Sequence, residues 1–369
     1  MARPYPRWLR TRLAALAPLP GYSRFEGTPT AQEVARRAEY KLDANENILL
    51  PRDLLVRLLR EVAEEVDIRL YPGEDVDGLA KAIARQLQVP VQSVLLGSGS
   101  SQPLDFLATT LLRPGTRAVS VTPTFGIYEI RSRLAGAQFL SVPLRPDFTL
   151  DLDRLLVAAR TARLVFLSSP NNPTGNQFPL DAVEALCKTT AGVVVLDEAY
   201  VDFAERSGLV LLRRYPNLVI LRTFSKALGL ANLRLGYMVA DPMLARPFRE
   251  KVQYPYAVSA LTARLALRLL AHSVEIQRAI ALIKAERRRL FTALTEMPAI
   301  RVFPSDANFL FIVLGAQLQR IYEACLQNGI VLRKFGDVLP YRGCVRVTVG
   351  PPEANDRFLH IVGQSSRGR

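Results

Sequence analysis

The sequence predicts an α/β protein built on a mostly parallel sheet, and three observations carry that expectation. Between residues 78 and 240, short apolar runs of strand length alternate with segments of helical length; runs this uniformly apolar read as strands buried on both faces. Each run stops at or just before a glycine, proline, serine, aspartate or threonine, the residues that turn a chain. Polar clusters follow these stops, at the carboxyl ends of strands, where an open α/β sheet gathers its ligand.

Taken in order, residues 1–24 hold Arg3, Arg7, Arg10, Arg12 and Arg24 and no acid. That composition resembles an organelle transit peptide, but prolines flank a short Leu/Ala stretch, serine is scarce and no A-x-A site follows. Residues 1–25 are therefore read as an amino-terminal arm. The buried strands are expected at 94–96, 117–121, 164–167, 192–196 and 218–222, with a helix at 102–112. Apolar residues at helical spacing place helices at 259–270 and 275–296. After Pro304 the pattern returns to strands, 309–314, 329–332 and 344–349, around a helix at 321–328. No Gly/Ser linker divides the chain, so the second unit must be discontinuous. The expectation is a large domain at 50–255 and a smaller α/β domain made from 26–49 and 256–369.

Composition narrows the function. With 369 residues, 49% hydrophobic and 22% charged, the chain can bury a substantial core, and no eighteen consecutive apolar residues mark a membrane helix. Cys187, Cys325 and Cys344 are odd in number and far apart, which suggests reduced core thiols in place of a disulfide framework or thiolate zinc site. Two isolated histidines, His272 and His360, give no metal cluster, and no metal is expected. The net charge of +14 comes from 41 arginines and only seven lysines. A basic field of this kind attracts anions, but no basic run is interleaved with aromatics and no zinc-finger spacing occurs, so nucleic acid is not an expected partner.

The chemistry concentrates in four segments. Lys226 follows an apolar run, is flanked by Thr223 and Ser225, and precedes Arg234 by eight residues in an otherwise uncharged stretch. A desolvated lysine beside other cations has an accessible lone pair and suits Schiff-base chemistry; the hydroxyls and arginine suit a phosphate. Gly97-Ser98-Gly99-Ser100-Ser101 lies between a strand and a helix, where free amides meet an anion. Ser169-Pro170-Asn171-Asn172-Pro173-Thr174-Gly175 is an unusual turn at a strand end. Asp197 closes a buried apolar run, and a buried carboxylate needs a partner such as a protonated pyridine nitrogen.

The order and spacing of these pieces, 25 residues from Asn172 to Asp197 and 29 more to Lys226, resemble the fold-type I pyridoxal-phosphate enzymes. Within them the chain is similar to the histidinol-phosphate aminotransferase family over residues 22–356. The telling matches are Lys41 to Asn47, Tyr71-Pro72, Pro123-Thr124-Phe125, the Asn-Asn-Pro-Thr-Gly turn, the Lys226 segment, Ala307-Asn308-Phe309 and Val345 to Gly350. The resemblance implies a large domain with a mostly parallel sheet, a smaller discontinuous domain, pyridoxal 5'-phosphate as cofactor and a cytoplasmic homodimer. It also implies roles. Lys226 would bind the cofactor and shuttle the proton, Asp197 would pair with the ring nitrogen, and Tyr200 and Asn172 would bond the ring oxygen. Phe125 would stack on the ring in place of the family's usual tyrosine. Gly99, Ser100, Ser101, Thr223, Ser225 and Arg234 would hold the phosphate, with Tyr71 entering from a partner subunit. Arg346 would bind the substrate carboxylate, Arg333 and Tyr22 its phosphate end, and Asn45 and Asn47 would lie beside its side chain.

Two departures stand out: Ser101-Gln102 replaces an acidic pair, and Ile48 to Pro51 replaces a Pro-Tyr-Gly type turn. The second bears on substrate preference. The expected reaction is transfer of an amino group between glutamate and imidazole-acetol phosphate in histidine biosynthesis. The rivals are a threonine-phosphate decarboxylase or an aromatic-amino-acid aminotransferase of the same fold and, more remotely, a non-catalytic regulator that keeps the fold.

Overall fold

A computed structural model describes residues 38–367 and five isolated positions near the amino terminus, 6, 7, 10, 11 and 14. Tyr22 and most of the expected 1–25 arm lie outside the described residues. Among the described residues twelve strands form two sheets. The larger has seven strands in the order β2-β8-β7-β6-β5-β3-β4, with β2 at Val94–Ser98, β3 at Arg117–Thr122, β4 at Gln138–Pro143 and β5 at Leu164–Ser168. Strands β6 at Val193–Asp197, β7 at Leu218–Thr223 and β8 at Leu235–Ala240 complete it.

Strands β4, β3, β5, β6 and β7 run parallel, whereas β8 is antiparallel to both β7 and β2. All five expected strands are present, each one or two residues from its expected end. Every residue of β5 is buried, as two-sided helix cover requires. The sequence reading omitted two strands of this larger sheet for different reasons. Strand β4 sits at the sheet edge with Val142 its one buried residue and exposed positions at Gln138, Leu140 and Pro143, so it lacks the continuous apolar signature. Strand β8 follows Lys226 after only a single 3-10 turn, Ala231–Leu233, and its apolar run merges with that motif.

The smaller sheet has the order β1-β11-β12-β10-β9, with β1 at Tyr40–Leu42, β9 at Arg301–Val302, β10 at Phe309–Val313, β11 at Ile330–Val338 and β12 at Tyr341–Thr348. Strand β1 pairs in parallel with β11, so early chain and late chain build one sheet. Strands β11 and β12 run further than expected because their linked ends, around Leu339-Pro340, are polar and half-exposed. The helix Ala260–Leu270 is capped by Ser259, whose Oγ accepts from the Thr262 amide at 3.1 Å. It packs on the helices Arg52–Glu65 and Glu74–Leu87.

The two sheets meet at the turn after β5. The Asp306 amide donates to the Gly175 carbonyl at 2.7 Å, and its Oδ2 accepts from the Gln177 amide at 2.8 Å. Among the described residues no helix is long and apolar enough to cross a membrane. Cys187, Cys325 and Cys344 are all buried, and burial pushes their thiols up to about 12, 12 and 11. His272 lies at the start of the helix Ser273–Thr295 beside Glu275, and His360 contacts Gln364 in the last helix.

Candidate active site

The parallel strands deliver their carboxyl ends to one edge of the larger sheet, and the polar segments singled out above meet there. At the end of β2 the chain turns through Gly99, whose φ of +68° lies in the left-handed region. Its amide donates to the Arg234 carbonyl at 2.8 Å. A Cβ on Gly99 would stand 2.7 Å from Arg234 Nη2, so the guanidinium fills the space that a side chain would take. Gly236 on β8 runs so close beneath that its Cβ would strike the Ser100 amide nitrogen at 2.2 Å.

Arg234 Nη1 donates to Ser225 Oγ at 3.2 Å, and the Ser225 amide donates to Thr223 Oγ1 at 3.0 Å. Ser100 and Ser101 open the helix Ser101–Leu111. Gln102, in place of an acid, closes the turn by accepting from the Ser98 amide at 2.9 Å. Hydroxyls, a guanidinium and a helix amino terminus thus converge into a cup for an anion.

Asp197 ends β6 between Ser168 of β5 and Leu221 of β7. Its Oδ1 accepts from the Ala199 amide at 3.1 Å and its Oδ2 from the Tyr128 hydroxyl at 2.8 Å. Burial outweighs both bonds and raises its carboxyl above the usual range. The adjacent Glu198 is committed elsewhere, accepting from Arg222, Ser207 and the Gly208 amide, so only one acid of the pair serves the site.

Sequence reasoning missed Tyr128. It is fully buried, stacks on Phe166 with ring centres 5.0 Å apart, and meets Phe125 edge-on at 5.6 Å. The available signal was its place on the first turn of the helix Ile127–Leu134, three residues after Phe125, beside the strand ends.

Lys226 lies in the loop after β7. Its Nζ donates to the Ala44 carbonyl at 2.7 Å and stands 5.7 Å from the centre of the Tyr200 ring. Arg346, on the central strand β12 and 7% exposed, donates through Nη1 to Asn172 Oδ1 at 2.5 Å and through Nη2 to the Asp43 carbonyl. The amine and the guanidinium therefore sit on successive carbonyls of one loop. Arg333 is the direct cross-strand partner of Arg346, which places both side chains on the same face of the smaller sheet.

Asn171 and Asn172 divide the work of their turn. Asn171, fully buried, donates to the Pro123 carbonyl and Thr174 Oγ1 and accepts from Thr124 Oγ1, stapling the β5 turn to the β3 turn and leaving Asn172 to meet Arg346. Asn45 donates to the Tyr200 hydroxyl at 3.0 Å. Asn47 is engaged with main chain at both ends of its amide, donating to the Ala227 carbonyl and accepting from the Leu49 amide. Tyr71 lies on the outer surface, 79% exposed and stacked on Tyr256 at 4.5 Å.

Comparisons with known proteins give the family and the fold. The family model for aminotransferase class I and II matches residues 38–362. A histidinol-phosphate aminotransferase of Thermococcus gammatolerans is 40% identical over 89% of this chain and 92% of its own length. That of Chromobacterium violaceum is 37% identical over 87% and 91%. The crystal structure of histidinol-phosphate aminotransferase from Sinorhizobium meliloti in complex with pyridoxal-5'-phosphate superposes with a TM-score of 0.83 at 25% identity, covering 94% of this chain and 96% of that one. By the family model and these relatives, the chain belongs to the class I and II aminotransferases, in the histidinol-phosphate aminotransferase family.

Proposed function

We propose that the protein is a pyridoxal-phosphate-dependent aminotransferase that takes the amino group of L-histidinol phosphate to 2-oxoglutarate, in the cytoplasm, as a homodimer. The observation that carries this reading is the placement of Lys226 Nζ and the Arg346 guanidinium on the successive carbonyls of Ala44 and Asp43. One amino acid can then present its α-carboxylate to Arg346 while its Cα proton faces Lys226.

The residues present fit the cofactor. Asp197 is a carboxylate whose ionised form burial disfavours, and a protonated ring nitrogen supplies the missing positive charge. The cup of Gly99, Ser100, Ser101, Thr223, Ser225 and Arg234 suits a phosphate, and Phe125 offers a flat face braced by Tyr128. When bound, pyridoxal phosphate supplies an aldehyde for an amine and an electron-withdrawing ring that weakens the Cα–H bond.

The protein's own groups do the rest. Asp197 would pair with the protonated ring nitrogen, Lys226 would accept and carry the substrate's Cα proton, and Tyr200 with Asn172 would hold the ring oxygen. Arg346 grips the carboxylate at two points. Arg333, on the same face, takes the phosphate end with Tyr22. A substrate carrying two anionic groups also relieves the opposition of two like charges across β11 and β12.

The domain limits follow the same reading: 50–255 as the cofactor domain, with 38–49 and 256–367, the described part of the expected 26–49 and 256–369, as the smaller one. Ile68, Leu70, Tyr71, Tyr254 and Tyr256 are 59 to 79% exposed, an apolar cluster of the kind that a partner subunit covers. In the dimer Tyr71 reaches the neighbouring phosphate cup.

Steady-state kinetics test the reading. Rates measured with histidinol phosphate at several fixed concentrations of 2-oxoglutarate are expected to give parallel double-reciprocal lines, the signature of two half-reactions. Intersecting lines, or turnover with carbon dioxide release, would overturn it.

A further inference from the structure

Asn45 occupies an unusual position. Its φ of +55° is left-handed, a conformation asparagine tolerates better than most side chains, and it is fully buried. Four hydrogen bonds hold it. Its amide donates to Thr348 Oγ1 at 2.9 Å, and that hydroxyl returns a bond to Asn45 Oδ1 at 3.2 Å. Asn308 Nδ2 donates to the Asn45 carbonyl at 3.1 Å. Asn45 Nδ2 then donates to the Tyr200 hydroxyl at 3.0 Å. Thr348 and Asn308 are themselves buried, so the smaller sheet fixes both the backbone and the amide of Asn45.

We propose that Asn45 is a positioning residue that sets the hydrogen-bond polarity of Tyr200. A phenolic oxygen that accepts from Asn45 has its single proton left to donate in another direction, towards the cofactor's ring oxygen. The inference rests on the cofactor reading above. It moves Asn45 from beside the substrate to behind Tyr200, and makes Thr348 the group that chooses which end of the amide Tyr200 meets. Of the charged groups, Lys226 Nζ stands 5.7 Å from the centre of the Tyr200 ring and faces Asp197, Asp43 and Glu46 lie within two residues of Asn45 in the chain, and Arg346 holds the Asp43 carbonyl.

The readout is the pH midpoint of the colour change of bound pyridoxal phosphate, which reports the proton at Lys226 Nζ. A hydroxyl donating to the ring oxygen competes with that proton, so loss of the donor raises the midpoint. Asn45→Asp keeps the shape and replaces the donor with an acceptor that captures the Tyr200 proton. It is expected to raise the midpoint by about one pH unit, a tenfold change in proton affinity.

Part of that rise is the new charge alone, so the decisive comparison is the same substitution in a Tyr200→Phe background. There the rise is expected to fall to half or less. Equal rises in the two backgrounds would overturn the proposal. Thr348→Val, which adds no charge, is expected to raise the midpoint while Thr348→Ser keeps the wild-type value; an unmoved midpoint in Thr348→Val would also overturn it. A wild-type protein that binds no pyridoxal phosphate would overturn the functional reading itself, a failure distinguishable from either of these.

Discussion

Removing the Tyr128 hydroxyl tests the bond at the heart of the site. In Tyr128→Phe the ring keeps its stacking on Phe166 and its edge contact with Phe125, while the 2.8 Å bond to Asp197 is lost together with the contact to the Ser168 hydroxyl. A hydrogen bond to a charged group contributes about 1.5–3 kcal/mol, and both partners are buried, so little water screens it. With about 2.1 cal/mol/K of unfolding entropy per residue, such a loss lowers Tm by roughly 2–4 °C.

The pH dependence gives the sharper test. Tyr128 stabilises the ionised carboxylate, and burial raises the folded-state carboxyl of Asp197 above its ordinary 3.8. The bond's contribution is therefore full at pH 8 and lost as pH falls through that raised range. Calorimetric scans of the cofactor-free protein and the variant, from pH 8 down to pH 4, are expected to converge. A difference that stays constant with pH would refute the assignment of the bond to the ionised form, and no difference at pH 8 would refute its strength.

Three further outcomes follow from the same geometry. Asp197→Asn is expected to stabilise the cofactor-free protein at pH 7–8, where burial penalises the carboxylate that asparagine cannot form, while cutting kcat by about 10²–10³-fold; a cofactor-free variant less stable than wild type in urea melts would count against the burial argument. Gly99→Ala forces a side chain into the left-handed region and against Arg234, so pyridoxal-phosphate affinity measured by equilibrium dialysis is expected to fall about tenfold. Arg346→Lys replaces a two-point grip with one and is expected to raise KM for histidinol phosphate about 10- to 100-fold; an unchanged KM would move the carboxylate site elsewhere.

Much of this site was legible because its chemistry sits at strand ends. Buried runs such as 164–167 are unambiguous when every residue is apolar, and the residue that follows is then fixed at the sheet edge. Asp197, Asn172, Thr223 and Gly99 were readable for that reason. What escaped was held by partners distant in sequence. Tyr128 looks like an ordinary helix residue until β6 brings Asp197 beneath it, and Thr348 looks like a strand residue until Asn45, 303 positions away, folds against it. Strand β8 escaped because only one short turn, Ala231–Leu233, parts it from Lys226, and its apolar run continues the Lys226 segment. Asn45 and Asn47 show the limit of reading a motif as a unit: the same residue type two positions apart meets Tyr200 in one case and main chain in the other.

The visible absorption spectrum of the purified protein loaded with pyridoxal phosphate tests the central claim most directly. The account predicts a yellow protein that L-histidinol phosphate bleaches, that 2-oxoglutarate restores, and that L-phenylalanine and O-phospho-L-threonine leave coloured. A protein that takes up no pyridoxal phosphate, or one bleached by phenylalanine and not by histidinol phosphate, would contradict it.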